Sequence, residues 1–169
     1  KGGLYHHAVG CAMIAETIAG RTKLAQPGIA YTAGLLHDIG KVVLDQYVSS
    51  GYPLFYRYLT ERDGQFVEAE RKILKTDHTE IGAQLAGIWD LPESLTTVIR
   101  YHHCPEADSE FSELTHIVYL ADLLMSRFHT GLELERLGTA NLVSRLNTLG
   151  MASSDLPDII DSIPMKVFE

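Results

Sequence analysis

Seven residues stand out by type and by placement: His7, His37, Asp38, His78, His102, His103 and Asp122. Each lies on or beside the apolar line of a stretch with helical periodicity. His7 continues the line of Cys11, Ile14 and Ile18. His78 shares a face with Ile81, Gly82 and Leu85, and His102 with Leu95, Val98 and Ile99, while His103 is its neighbour. Asp122 borders Val118 and Met125. His37-Asp38 closes a stretch whose inward line, Ala30, Ala33 and Gly34, is small enough for a second backbone to come close. Taken singly, each has an ordinary reading: a satisfied core histidine, a turn aspartate, a solvated helix aspartate. Taken together they do not, because burying so many ionisable groups without partners costs on the order of several kcal/mol each. A shared cation removes that cost, since neutral imidazole and carboxylate are ready ligands. The set is larger than one four-coordinate zinc can use, and it suits two ions bridged by a carboxylate.

Two such ions can activate water against a phosphoric ester and stabilise the charge that develops on the transferring group. No protein nucleophile is required, and none is evident. Ser126 and Ser144 have no base at a signature spacing, and Cys11 and Cys104 read as inert, buried thiols. His6 adjoins His7 but points about 100° away on a helix. His116 and His129 match no ligand position, and Arg100, one turn before His103, reads as a surface or paired arginine. An imidazole-rich set with carboxylates favours iron, manganese, nickel or zinc over calcium, and magnesium is less natural. Iron or manganese is the expected cellular ion.

The elements that must carry these residues are helices. A first helix is expected from Leu4 to about Arg21. Pro27 is placed to open a second, which Gly40 is expected to break. Val42–Val48 reads as a short helix, Pro53 as the start of another reaching Asp63-Gly64, and Phe66–Lys75 as a helix charged on its outer face. Asp77 followed by Glu80 has the spacing of a capping box. Leu91-Pro92-Glu93 marks a helix start, Ser112-Glu113-Leu114 opens a long helix, and shorter ones are expected at Thr139–Thr148 and Leu156–Ser162. Alternating strand patterns are scarce. The expected fold is all-α, with one contiguous core.

Composition narrows the function classes. The chain has 169 residues, 46% of them hydrophobic and 21% charged, which is ordinary for one globular domain. Its net charge of −8, with no basic stripe, argues against a partner held by its duplex nucleic-acid backbone. A phosphorylated small molecule stays compatible, because bound cations supply positive charge locally. No run of apolar residues suits a membrane span, and the start at Lys1-Gly2-Gly3 has no signal-like segment. Two cysteines make no disulfide framework, so a reducing, cytoplasmic setting is expected.

The order His7, His37-Asp38, His78, His102-His103, Asp122 resembles the HD superfamily of metal-dependent phosphohydrolases, and Gly34-Leu35-Leu36-His37-Asp38-Ile39-Gly40-Lys41 is close to its signature. Glu80-Ile81-Gly82-Ala83-Gln84-Leu85-Ala86, Trp89-Asp90-Leu91-Pro92 and Tyr101-His102-His103-Cys104-Pro105 are similar to the HDOD branch, the HD-related output domains of bacterial signalling proteins. The likeness spans residues 4–130 approximately. It implies a helical HD-like bundle with a metal site among its central helices. It also implies metal ligation by His7, His37, Asp38, His78, His102, His103 and Asp122, with Asp38 bridging. Lys41 would contact a substrate phosphate, so Asp38 and Lys41 are the expected catalytic pair. The related HD-GYP branch carries a Gly-Tyr-Pro run after its paired histidines. Here Cys104-Pro105-Glu106 follows, and Gly51-Tyr52-Pro53 lies elsewhere and reads as a turn. That departure argues against cyclic di-GMP as substrate. The resemblance implies one domain over residues 1–169, with a core at about 4–130 and C-terminal helices at about 131–164, cut from a longer multidomain signalling protein. The expected role is a signalling output domain retaining a two-metal centre, with other signalling domains or proteins as partners. The alternative is an active hydrolase of a nucleotide or other phosphoric ester. A helical interaction domain with incidental histidines is disfavoured by the completeness of the donor set.

Overall fold

The structure, a computed structural model, describes residues 3–48, 53–55, 57–58, 66–129 and 139–164. Among the described residues there are helices and no strands. The helices are α1 (Gly3–Thr22), α2 (Pro27–Leu36), α3 (Ile39–Val48), α4 (Phe66–Leu74), α5 (His78–Ile88), α6 (Glu93–Tyr101), α7 (Ser112–His129), α8 (Thr139–Thr148) and α9 (Leu156–Asp161). No helix among the described residues is long and apolar enough to cross a membrane.

Local chemistry explains most of the boundaries. Pro27 opens α2 because its missing N–H is one the first turn leaves unpaired in any case. Asp77 caps α5: its carboxylate accepts from the backbone N–H of Thr79 and of Glu80 at 2.8 and 3.0 Å. The box is only half made, since Glu80 accepts from the Thr76 hydroxyl instead. Pro92 sits one position ahead of α6, as its cap. The end of the helix expected from Pro53, at Asp63-Gly64, lies outside the described residues.

Gly40 corrects an expectation. It does not break a helix; it lies in the first turn of α3, and the chain bends one step earlier, at His37-Asp38. Gly40 is needed for a different reason. A Cβ there would stand 1.9 Å from the His78 carbonyl oxygen and 2.8 Å from the Gly82 nitrogen, so α3 and α5 touch backbone to backbone. Gly34 does the same for α2 and α1, where a Cβ would meet the Cys11 carbonyl oxygen at 2.8 Å. The small inward line of α2 therefore admits α1.

α1, α2 and α7 pack around the main core, in which Cys11, Ile14, Ile18, Ala30, Ile117, Leu120 and Leu124 are buried. The C-terminal helices close it with Leu142, Leu146 and Ile159. α9 is further held to α1 by the Arg21–Asp158 ion pair at 3.0 Å and by the hydroxyls of Thr17 and Ser162 at 3.0 Å. Among the described residues the core is not the single contiguous apolar body expected from the sequence. Ala83, Ala86 and Ile99 form a separate small cluster under α5 and α6, and Leu36 touches both. His37, His78 and His102 are also interior, all 0% exposed, so buried polar side chains share the interior with the two clusters.

Gly40→Ala should therefore destabilise the chain by about 3 kcal/mol or more, since the atoms it would strike are backbone and cannot rotate away. Gly20→Ala, in open space on α1, should stabilise by about 0.5–1 kcal/mol. Urea melts of the two variants check this contrast.

Candidate metal centre

Four helices and one bend between helices bring the donors together. His7 comes from α1, His37-Asp38 from the bend between α2 and α3, His78 from the first turn of α5, His102-His103 from the end of α6, and Asp122 from the middle of α7. All seven residues expected from the sequence converge. Their donor atoms fall into two groups around Asp38. On one side, the Asp38 Oδ2 atom lies 3.7 Å from His7 Nε2 and 3.5 Å from His37 Nε2. On the other, Oδ1 lies 3.3 Å from His78 Nε2 and 3.6 Å from His102 Nε2. Asp122 reaches both sides, with Oδ1 3.0 Å from His7 Nε2 and Oδ2 3.8 Å from His103 Nδ1. His103 Nε2 lies 3.0 Å from His78 Nε2.

The buried rings are oriented by their outer nitrogens. His37 Nδ1 is 2.7 Å from the Gly34 carbonyl, and His102 Nδ1 is 3.0 Å from the Ile99 carbonyl. His78 Nδ1 is 2.6 Å from a Glu70 carboxylate oxygen. Carbonyl and carboxylate only accept, so in each ring Nδ1 carries a proton, and in the neutral tautomer that metal ligation needs Nε2 presents a lone pair inward. That leaves His37 Nε2, His102 Nε2 and Asp38 Oδ1 buried with no hydrogen-bond partner. Lone pairs facing lone pairs in a dry interior repel, and a cation between them turns the same arrangement favourable. The residues present therefore fit divalent metal. Two donor groups could each hold an ion: Asp38, His78, His102 and His103 in one, His7, Cys11, His37 and Asp122 in the other.

Charge states agree with ligand chemistry. Burial, reinforced by His102 and His7, lowers His37 to about 4 against the opposing pull of Asp38 and Asp122. Burial, with His102 and His78 beside it, lowers His103 to about 3. Both rings are neutral at pH 7. Burial alone would raise the Asp38 carboxyl, but His37, His102 and the Lys41 ammonium outweigh it and hold it well below the usual range. Asp122 is likewise depressed: burial opposes ionisation, while the hydrogen bond with His7 and the nearness of the His37 and His102 rings prevail. Burial, with Asp122 and Asp38 nearby, pushes the Cys11 thiol up.

Other residues near the centre take definite places, and Cys104 departs from the sequence reading. Lys41 Nζ is bonded to Asp38 Oδ2 at 2.6 Å, so in this structure it neutralises the central carboxylate. Cys104 is exposed and not a buried thiol. It lines a cavity of about 520 Å³ together with Arg71, Asp77, Arg100 and His103, which opens onto one edge of the centre. Arg71 is paired with Asp77 at 2.5 Å. His116 gives Nδ1 to the Ser112 carbonyl at 2.8 Å and takes no part. The side chain of His129 is outside the described residues.

Glu70 was missed. It lies on α4, expected to be charged on its outer face, yet it is 1% exposed and accepts from both His78 N–H groups, backbone at 3.0 Å and ring at 2.6 Å. Its position three after Val67 and four before Leu74 is the inward spacing that could have shown it.

The model of the HDOD domain matches residues 2–105 of the chain. This chain belongs to the HDOD family. An HDOD domain protein of unknown function from Geobacter sulfurreducens superposes with a TM-score of 0.74 at 29% identity, over 99% of this chain and 60% of that one. The MmoQ response regulator of Methylococcus capsulatus str. Bath shares the fold, with a TM-score of 0.66 at 19% identity over 94% of this chain and 60% of that one. An uncharacterized protein of Treponema pallidum (strain Nichols) is 38% identical over 60% of this chain and 20% of its own length. The HDOD chain described here thus spans about three fifths of the solved relatives and a fifth of the curated one.

Two outcomes follow from this geometry. Glu70→Gln keeps the shape but weakens the hold on the His78 ring, and should lower metal affinity about 10–100-fold by isothermal titration. The metal-free chain should also lose stability on acidification. An imidazole held below its ordinary 6.5 when folded takes up its proton more readily when unfolded. Stability is thus full above pH 6.5 and lost as pH falls toward about 4 for His37 and about 3 for His103. Depressed Asp38 and Asp122 extend the loss to lower pH. Melting temperature followed by circular dichroism in the presence of a chelator should be flat just above pH 7 and fall steadily below 6.5; a rise on acidification below 6.5 would contradict the assignment.

Proposed function

We propose that this HDOD domain is a signalling output domain that holds two divalent ions in its His/Asp cluster and cleaves a phosphoric ester there. The observation that carries this is the convergence of His37 Nε2, His102 Nε2 and Asp38 Oδ1, all buried and without hydrogen-bond partners. His7, His37 and Asp122 would serve one ion, and His78, His102 and His103 the other, with Asp38 bridging. Bound there, the ions would supply Lewis-acid charge and a water acidified toward neutral pH.

The chain's own residues account for the rest. Gly34, Ile99 and Glu70 fix the ring tautomers. His37, His78 and His102 and the surrounding apolar clusters keep bulk water from the centre. His103 and Lys41, with side chains 27% and 29% exposed, are where a ligand can approach. Lys41 is placed to meet a phosphoryl oxygen beside Asp38, and Arg71 and Arg100 line the wall of the cavity next to His103. The ligand class is a phosphorylated small molecule or nucleotide, in a cytoplasmic setting. Imidazole-rich ligation favours iron or manganese, with nickel, zinc or magnesium as substitutes.

A second reading has the ions holding or sensing, with the output made by a protein surface. It is favoured by the burial of Asp38, 2% exposed and already covered by Lys41. Metal analysis and hydrolysis of bis-(p-nitrophenyl) phosphate separate the two. The wild type loaded with manganese or iron should turn over the ester, and Asp38→Asn should lose bound metal and lower turnover about 100-fold or more. Bound metal with no Asp38-dependent turnover supports the second reading, and no bound metal overturns both.

A further inference from the structure

We propose that Cys11 is a metal ligand, so that one half of the centre is a His₂-Asp-Cys site while the other holds imidazole and carboxylate alone. This rests on the two-ion reading above and adds to it a sulfur donor. Cys11 lies one turn after His7 on α1 and is 0% exposed, with its Sγ 3.5 Å from His7 Nε2. Sγ, a carboxylate oxygen of Asp122 and one ring nitrogen each of His7 and His37 lie within 4.8 Å of one another. Four donors around one ion, with bonds of about 2.0–2.3 Å, stand about 3.3–3.8 Å apart. The separations here bracket that range: 3.5 Å from Cys11 to His7, 3.0 Å from His7 to Asp122 and 3.9 Å from His37 to Asp122.

The proximity of a cysteine to a histidine would not be enough. A second observation points to the same place: His37 Nε2 belongs to this group and is buried with no hydrogen-bond partner. One close approach positions both donors. Gly34 rests against the Cys11 carbonyl, and the Gly34 carbonyl receives the His37 Nδ1 proton. The sulfur of α1 and the imidazole following α2 are thereby set by the same backbone contact. An inert core thiol would need none of this.

Coordination balances simply. The thiol gives its proton to solvent, and the thiolate lone pair forms the metal–sulfur bond with no change of oxidation state. A thiolate is a softer donor than imidazole or carboxylate, so this half should prefer zinc, iron(II) or cobalt(II) over manganese and magnesium. The two ions would then differ in identity or affinity.

The test is spectroscopic and does not depend on turnover. The full chain and its Cys104→Ser variant are loaded with cobalt(II), and absorption and X-ray absorption spectra are recorded with the metal content. Cys104→Ser leaves Cys11 as the chain's remaining cysteine, since only two are present. The expected result in both is a near-ultraviolet sulfur-to-cobalt charge-transfer band and a sulfur neighbour at about 2.3 Å. Both signals should vanish in Cys11→Ser and Cys11→Ala. Bound cobalt without a sulfur neighbour in the Cys104→Ser chain overturns this proposal and leaves the two-ion reading intact. Survival of the signals in Cys11→Ala also overturns it. A chain that takes up no metal ends both. Because the Cys104→Ser spectrum is decisive, the outcome stands even if the Cys11 variants do not fold.

Discussion

The structure turns on one carboxylate. Asp38 is 2% exposed and ionised, four imidazole nitrogens lie within 3.7 Å of it, and in three of those rings the Nδ1 proton is committed elsewhere. Such a group is tolerable only beside positive charge. In this structure Lys41 provides one such charge at 2.6 Å from Oδ2, while Oδ1 has none. The unpaired oxygen and the lone pairs that face it define a place for a cation more sharply than the residue types could. The fold's other unusual features can be traced to that place.

Glycine at position 40 is one of them. For His78 Nε2 to come within 3.3 Å of Asp38 Oδ1, the first turn of α5 must lie against the first turn of α3. Any side chain at position 40 would enter the His78 carbonyl. Gly34 answers the equivalent demand between α2 and α1, and so permits His7 to reach Asp38. Glu70 and Asp77 complete the set on the α5 side. Asp77 fixes the start of the helix and Glu70 the ring on its first residue, so that two buried carboxylates on neighbouring elements are used to hold one imidazole. The interior bears the same mark, because three buried positions are given to imidazole.

Much of this was legible in the sequence, for a definable reason. Polar side chains that point inward from helices must interrupt an apolar periodicity, so His7, His78, His102 and Asp122 announced themselves where a leucine would be expected. Pro27 and Asp77 marked helix starts through their own backbone chemistry. What was not legible depended on three-dimensional neighbours. Gly40 read as a helix stop because a sequence carries no sign that a second backbone lies 1.9 Å from where its Cβ would be. Glu70 read as surface charge because α4 has charges on several sides, and only its partner shows which one is buried. Cys104 and Cys11 looked alike in sequence and differ in the fold, one exposed at a cavity mouth and the other sealed beside His7. Lys41 was expected to meet a substrate phosphate, and its bond to Asp38 is a property of the folded state that spacing alone does not reveal.

Electrostatics ties the centre to any anionic ligand. The chain carries a net charge of −8, so at long range it repels a phosphate. The cationic side chains near the site are few, and two of them are committed: Arg71 to Asp77 and Lys41 to Asp38. His37 and His103 are held neutral at pH 7 by burial and by the rings around them. Asp38, Asp122 and Glu70 add three carboxylates to the same small volume. Arg100 at the cavity wall is too little to offset them. A phosphoryl group would therefore find little attraction in the side chains alone. On the proposed two-ion reading the missing attraction would come from the ions, so occupancy of the cluster by cations and affinity for a phosphorylated ligand would be one electrostatic property.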